Sequence, residues 1–448
     1  MDPRVDSEGD SDSEPQQLLS TGIGVETMED IPAPKAVLAH FMVGNTYSYT
    51  DSEWINDIEL AHSHGIDGFI LNVGRDPWQP LQIASAFKAV SLFRFRLCLS
   101  FDMTSLVSQS QSDITTLKEY IEAFGNHPNY FRYHGKPFVT TFGGEYATFG
   151  LDSPTSGWKS VLSQLPHTIH FVPTFFVMNH VDRSVLDGDC NWDGAWPMGD
   201  SPISFDSDRQ RVVANQGKTY MATVSPCFFT HYGPDSWNKN FIYRGDDWLY
   251  NSRWEMLVQH RSQIDIVEII SWNDYGESHY IGPIRKDQPN SQAWVNGFDH
   301  QAWLEMTSYY ASAFKTGHYP RIQKDQLYIW ARPHAAAASA HDAVPKPKNT
   351  NWTRDILWAA VFTTAPAEVT LVSGSRTWST AVGTGVFKVG LGSLPGHQTA
   401  FLSRGTSRVV SIPSNAFSFT LSPQTYNYNY YVARGSGHEN ELLSLEAK

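Results

Sequence analysis

From Lys35 onward the chain alternates between short apolar runs and segments of helical periodicity, and this alternation restricts its fold more than any other feature. Strand-like runs are expected at 36–42, 68–74, 95–103, 138–142, 169–176, 194–196, 219–225 and 264–272. Segments 51–64, 81–92, 113–124, 155–165, 250–261 and 300–314 carry apolar residues at helical spacing, the first with Thr50 or Asp51 as a cap. Strands separated by helices pair in parallel, because a parallel connection needs a crossover of a dozen or more residues. Eight such strands over roughly 300 residues predict an α/β fold of the (β/α)8 TIM-barrel type.

Further along the texture changes. An alanine-rich stretch from His334 to His341 and the run Val344-Pro345-Lys346-Pro347-Lys348 read as a linker. Beyond it, short β-rich segments punctuated by Gly, Ser and Pro predict a C-terminal antiparallel β-sandwich. The expected organisation is a disordered acidic tail at 1–34, a barrel at 35–335, a linker at 336–350, a sandwich at 351–433 and a tail at 434–448.

The formal net charge of −13 argues against a nucleic-acid partner, which needs clustered Lys and Arg. Nine acidic residues lie before Pro32 against Arg4 alone, so the remainder is only mildly acidic and suits a neutral polymer. The 15 Trp and 20 Tyr favour a carbohydrate partner, since sugar-binding clefts use flat aromatic faces. No apolar run is long enough to span a membrane. The start Met-Asp-Pro-Arg-Val-Asp-Ser-Glu lacks the basic and apolar regions of a signal peptide, so the chain as written reads as intracellular or unconventionally released, with a start codon further upstream as the alternative; a monomer is expected. Cys98, Cys190 and Cys227 have no metal-ligand spacing; Cys98 reads as a small core residue, and a Cys190–Cys227 bridge stays open. No metal or cofactor is implied.

Chemistry is expected where the last strand ends, at Ser271-Trp272-Asn273-Asp274-Tyr275-Gly276-Glu277-Ser278-His279. In a barrel the active site forms at the C-terminal ends of the strands. Asp274 and Glu277 are a carboxylate pair beside the Trp272 indole, the Asn273 amide, the Tyr275 hydroxyl and the His279 imidazole, the equipment of glycosidic bond cleavage. Other strand ends add His40, Asn72, Asp102, Glu145 and Asp193, with Trp192 and Trp196 around the last and His231-Tyr232 after the seventh strand. The aromatic loop beyond His231 reads as a lid or subsite wall, or as plain surface. Each polar residue has a structural alternative: His40 as a core histidine, Asp102 as a cap, Asp193 as a turn former, Asp274 and Glu277 as acids at a helix N-terminus. Asp265 and Glu268 share the Asp-x-x-Glu spacing, but they lie within or before the strand and rank below the later pair.

At these residues the chain resembles glycoside hydrolase family 71, the fungal endo-α-1,3-glucanases or mutanases. The resemblance rests on Ala39-His40-Phe41-Met42-Val43-Gly44, on Gly65 through Asn72, on Leu99-Ser100-Phe101-Asp102-Met103 and on Gly135-Lys136-Pro137 with Thr141-Phe142-Gly143-Gly144. Trp192-Asp193-Gly194-Ala195-Trp196, Ser271 through Pro283 and Tyr328 through His334, like the family's close of the barrel, complete it. It implies an inverting hydrolase of α-1,3-glucan with Asp274 and Glu277 as the catalytic pair. The resemblance leaves their roles open; Asp274 is expected as base and Glu277 as acid. A catalytically dead glucan-binding protein and a barrel hydrolase for another glycan are the alternatives.

Overall fold

Eight strands pair in parallel in one curled sheet, in the spatial order His170–Phe171, Lys136–Phe142, Arg96–Asp102, Gly68–Val73, Ala36–Met42, Ile266–Ile269, Thr219–Val224, Gly188–Asn191. The short Arg132–Tyr133 adds an antiparallel edge. The first strand lies between the second and the last, so the sheet curls back toward its own beginning. At the two sheet edges, Asp187 N donates to Phe171 O at 2.8 Å and Cys190 N to Pro173 O at 3.1 Å. The computed structural model describes residues 35–413 and 417–437; the expected tail at 1–34, and 438–448 of the C-terminal one, lie outside them.

Local chemistry explains the elements. Helix Asp51–Ser63 opens on a capping box: Thr50 Oγ1 accepts from Glu53 N while the Glu53 carboxylate accepts from Thr50 N at 2.8 Å. The fifth strand is only two residues long because Pro173 has no N–H for the ladder, although Thr174 N still reaches Thr141 O at 3.1 Å. The sixth strand is Gly188–Asn191, not the expected 194–196, which falls in the 3₁₀ turn Trp192–Ala195 and its exit. Its residues are polar because they pair with helix Asp206–Asn215: Asp189 takes Arg211 Nη1 at 3.1 Å, and the Asn191 amide donates to Ser207 Oγ.

The C-terminal part forms two antiparallel sheets. Gly385–Gly392, Ile356–Thr363, Gln326–Ala331 and Tyr431–Ser436 make one; Arg376–Val382, Ala367–Ser373, Gly396–Arg404 and Ser407–Ser411 make the other, with Ser418–Phe419 on Gly396–Arg404. Leu327, Ile329, Leu357 and Val361 from the first share one core with Val369, Leu371, Ala400 and Leu402 from the second. Gln326–Ala331, which overlaps the stretch Tyr328–His334 that resembles the family's close of the barrel, is central in the first of these sheets. Both of its faces are buried: Leu327 and Ile329 on the sheet core, Trp330 against Trp303 of helix Gln301–Thr316. Arg434, expected in the terminal tail, is likewise paired in Tyr431–Ser436.

Tyr428 and Tyr430 are buried rather than displayed. His300 Nε2 meets Tyr430 O at 3.0 Å, and Arg332 pairs with Asp246 at 3.0 Å while lying over the Tyr430 ring. The C-terminal sheets therefore brace the parallel one. Among the described residues, no helix is long and apolar enough to cross a membrane.

Gly68 and Gly188 each open a strand where the neighbour comes close: a Cβ would run into the Arg96 and Thr219 carbonyl oxygens respectively. Gly188→Ala is expected to cost about 1–3 kcal/mol through overpacking, measured as a lower urea midpoint with an unchanged slope.

Candidate active site

The chain leaves its last parallel strand through a segment pinned on both sides. Trp272 N donates to His40 O at 2.8 Å, and the Asn273 side chain bridges the Met42 backbone, accepting from Met42 N at 2.7 Å and donating to Met42 O at 3.1 Å. The Trp272 indole donates to Asp57 at 3.1 Å; Tyr49 and Arg285 converge on the same buried carboxylate. The turn that follows is built by the catalytic candidates themselves. Asp274 N donates to Ser271 Oγ at 2.8 Å, and Glu277 N donates to Asp274 Oδ1 at 3.1 Å. His279 then ties the turn together, with Nδ1 3.0 Å from Ser271 Oγ and Nε2 3.1 Å from Glu277 Oε2.

This architecture gives the two acids opposite tendencies. Burial lifts the Asp274 carboxyl above the ordinary range, and the neighbouring Glu277 charge adds to the lift. Burial pushes Glu277 the same way. There the His279 hydrogen bond, the His279 charge and Lys239, 3.3 Å from Oε1, prevail and hold it below its usual value. One oxygen of each carboxylate and a His279 nitrogen lie within 4.8 Å of one another, the grouping among the described residues that could chelate a cation. His279 and Lys239 already occupy Glu277 with hydrogen bonds.

Asp274 and Glu277 open into a cleft of about 700 Å³ at the C-terminal edge of the sheet. Asn72 and Asp102 line it from the ends of the second and third strands, with Tyr232 from the hairpin Phe228–His231/Asn240–Tyr243. Asp102 Oδ1 accepts from Thr104 N and Oγ1, so its capping role and its place in the cleft coexist. Tyr47 and Trp237 also line the cleft and are 69% and 59% exposed, a combination that suits sugar stacking. Sequence reasoning missed both, and Lys239 as well. The pattern of aromatic residues in the loop after His231 was the available signal for Trp237.

The other expected site residues stand away from the cleft lining. His40 is buried and paired with Glu268 at 2.8 Å. Trp272, Asn273 and Tyr275 are fully buried: Trp272 packs on Phe69 and the Tyr275 hydroxyl donates to Pro283 O, so none presents a face to a ligand. Trp192 and Trp196 sit in an apolar cluster with Phe228 and Ile270, Trp196 packing on His279. Asp193 is half-buried, its carboxyl raised by that burial against Arg211. Glu145 is buried with Oε2 unpartnered. His231 turns to Asp342 at 3.2 Å. Cys98, Cys190 and Cys227 are all free and buried, which rules out the Cys190–Cys227 bridge. Asp265 accepts from Tyr220 N at 2.9 Å at the strand entry, a structural role.

A curled parallel sheet whose C-terminal edge carries paired carboxylates in an aromatic-walled cleft defines a glycoside hydrolase. The sequence profile of glycosyl hydrolase family 71 matches residues 33–443, and the chain belongs to that family. It is 40% identical over 358 residues to the glucan endo-1,3-alpha-glucosidase agn1 of Schizosaccharomyces pombe, covering 77% of this chain and 82% of that protein. It is 31% identical over 421 residues to a mutanase of Penicillium rubens, with 90% and 89% covered. The ascus wall endo-1,3-alpha-glucanase of S. pombe is 34% identical over 382 residues, with 79% and 84% covered.

Asp57→Ala would strand Arg285 and remove the acceptor of the Trp272 indole. A loss of about 1–3 kcal/mol is expected, as for leaving buried donors without their acceptor, read by chemical denaturation.

Proposed function

We propose that the chain hydrolyses α-1,3-glucosidic bonds of fungal cell-wall α-glucan, with inversion at the anomeric carbon. The observation that carries this reading is the Asp274–Glu277 pair, opposed in protonation and set in the cleft beside Tyr47 and Trp237. The names of the S. pombe and P. rubens relatives support the linkage. The intact pair argues against a catalytically dead glucan-binding protein. The finer architecture in this reading is a closed (β/α)8 barrel followed by a β-sandwich. The Asp187–Phe171 and Cys190–Pro173 hydrogen bonds support closure, and the core shared by the two C-terminal sheets supports the sandwich.

The surroundings of the two acids support the reverse of the roles expected from the sequence. Asp274, raised by burial and by Glu277, is the acid that protonates the leaving oxygen; Glu277, held ionised by His279 and Lys239, is the base that activates water. A second reading, retention through a glycosyl-enzyme, is favoured by one observation. The nearest oxygens of the pair lie within 4.8 Å, whereas inverting carboxyls stand roughly 6.5–9.5 Å apart to admit water.

The deciding measurement is hydrolysis of insoluble α-1,3-glucan with proton NMR of the fresh product. β-Anomeric sugar establishes inversion and α-anomeric sugar establishes retention, while no release by the wild type sinks the hydrolase reading. Asp274→Asn and Glu277→Gln are each expected to lower kcat by about 10²–10⁴-fold. The pH profile should fall on the alkaline side as Asp274 loses its proton at its raised pKa, and on the acid side as Glu277 gains one at its lowered pKa. Lys239→Met removes a cation that favours the Glu277 carboxylate, so the acid limb should move to higher pH.

A further inference from the structure

Beside the catalytic cleft lies a second cavity of about 320 Å³, at the small end of the roughly 300–1,000 Å³ of small-ligand sites. Tyr232 and Asn290 line both cavities and form the wall between them. Around the second cavity, Trp294 stands edge-on to Tyr232 at 4.9 Å, and Tyr426 stands edge-on to His231 at 6.3 Å. The exposed side chains of Ser236, Asn290 and Thr425 add hydroxyl and amide groups.

Its frame is tied by one carboxylate. Asp342 accepts from Tyr426 N at 2.8 Å and from Val344 N at 2.9 Å, and its Oδ2 lies 3.2 Å from His231 Nε2. Asn240, bonded to the other ring nitrogen of His231, donates to Pro345 O at 2.7 Å. Hairpin, linker-like segment and C-terminal segment are thus held in one arrangement. Of the four tyrosines between 426 and 431, Tyr428 and Tyr430 are buried and Tyr431 stacks on Phe417, leaving Tyr426 to face the cavity.

We infer that this cavity is a second glucan-binding site, which holds glucosyl units of the same polymer outside the catalytic cleft. The inference rests on the function proposed above and adds a role in substrate capture for the C-terminal segment. The half-buried Tyr426 ring offers its face to the apolar C–H face of a pyranose, the buried Trp294 and Tyr232 back the cavity, and the hydroxyl and amide groups around it meet the sugar hydroxyls. The occupant is the α-1,3-glucan because the hairpin that walls this cavity also carries Trp237 and Lys239 into the cleft. Polymer engaged at one face of the Tyr232–Asn290 wall therefore lies next to the other.

The test compares Glu277→Gln as parent with Glu277→Gln carrying Tyr426→Ala, and with Glu277→Gln carrying Ala293→Trp. The last fills the cavity from an exposed position and guards against a folding defect in the first. Binding is read by co-sedimentation with insoluble α-1,3-glucan. Loss of the Tyr426 ring, or occlusion of the cavity by Ala293→Trp, should each weaken it about tenfold. In otherwise wild-type chains, the same substitutions should lower kcat/KM on the polymer more than on a short soluble α-1,3-glucooligosaccharide. Sedimentation equal to the parent in both variants overturns the second site while leaving the hydrolase intact. A wild type that neither hydrolyses nor binds the polymer overturns the functional reading, and this inference with it.

Discussion

The carboxylate pair depends on how the last parallel strand is fastened to the first. Asn273 makes two hydrogen bonds to the backbone of Met42, and the Trp272 amide makes a third to His40 O. Both side chains are fully buried, so the fastening is sheltered from competing water. The Trp272 indole extends it to Asp57 on helix Asp51–Ser63, and Arg285 brings the downstream loop to the same carboxylate. Everything between Trp272 and Arg285, including both catalytic candidates, is thereby held between two fixed points. A general acid and a general base need this kind of placement, since a misplacement of about 1 Å costs orders of magnitude in rate.

What the sequence made legible follows the strength of its apolar signal. Strands one to four and seven are buried runs of mostly apolar residues, and their expected positions lie within a residue or two of the observed ones. The sixth strand and helix Asp206–Asn215 were invisible because they hold each other through Arg211–Asp189 and Asn191–Ser207 contacts, which leave no hydrophobic periodicity to read. The same limit applied to the site. Strand-end logic reached Asn72, Asp102, Asp274 and Glu277, which do line the cleft, but it also drew in His40, Trp272, Asn273 and Tyr275, whose polar atoms serve the fastening. Position along the chain cannot separate a strand-end side chain that points into a cleft from one that points back into the protein. Tyr47, Trp237 and Lys239 lie in loops whose path no local pattern encodes.

The aromatic surplus divides in an informative way. Ten of the 15 tryptophans are buried, so the high content mainly builds a core that joins the parallel sheet to the C-terminal sheets. Trp303 touches both Trp330 and Tyr430, and the Trp248 indole donates to Ala359 O at 2.9 Å. With so many rings committed to packing, few large aromatics stay exposed; Tyr47 and Trp237, like Tyr146, Tyr319 and Trp378, each leave an apolar face in water. Of these, Tyr47 and Trp237 stand in the cleft that holds the carboxylates.

The turn that carries the acids also constrains the chemistry. Because Glu277 N is bonded to Asp274 Oδ1, the three-residue spacing folds back on itself and brings the two carboxylates to within 4.8 Å at their nearest oxygens. Two half-buried carboxylates this close resist ionising together, so the pair favours holding one proton. Its location is decided by what surrounds each group. Glu277 has His279 and Lys239 as direct partners, while Asp274 accepts the Glu277 amide and has no cation within bonding distance among the described residues. Coulomb interactions weaken with distance, so Lys239 and His279 stabilise charge on Glu277 more than on Asp274. These surroundings favour the proton on Asp274, and the acid and base roles proposed above rest on that asymmetry.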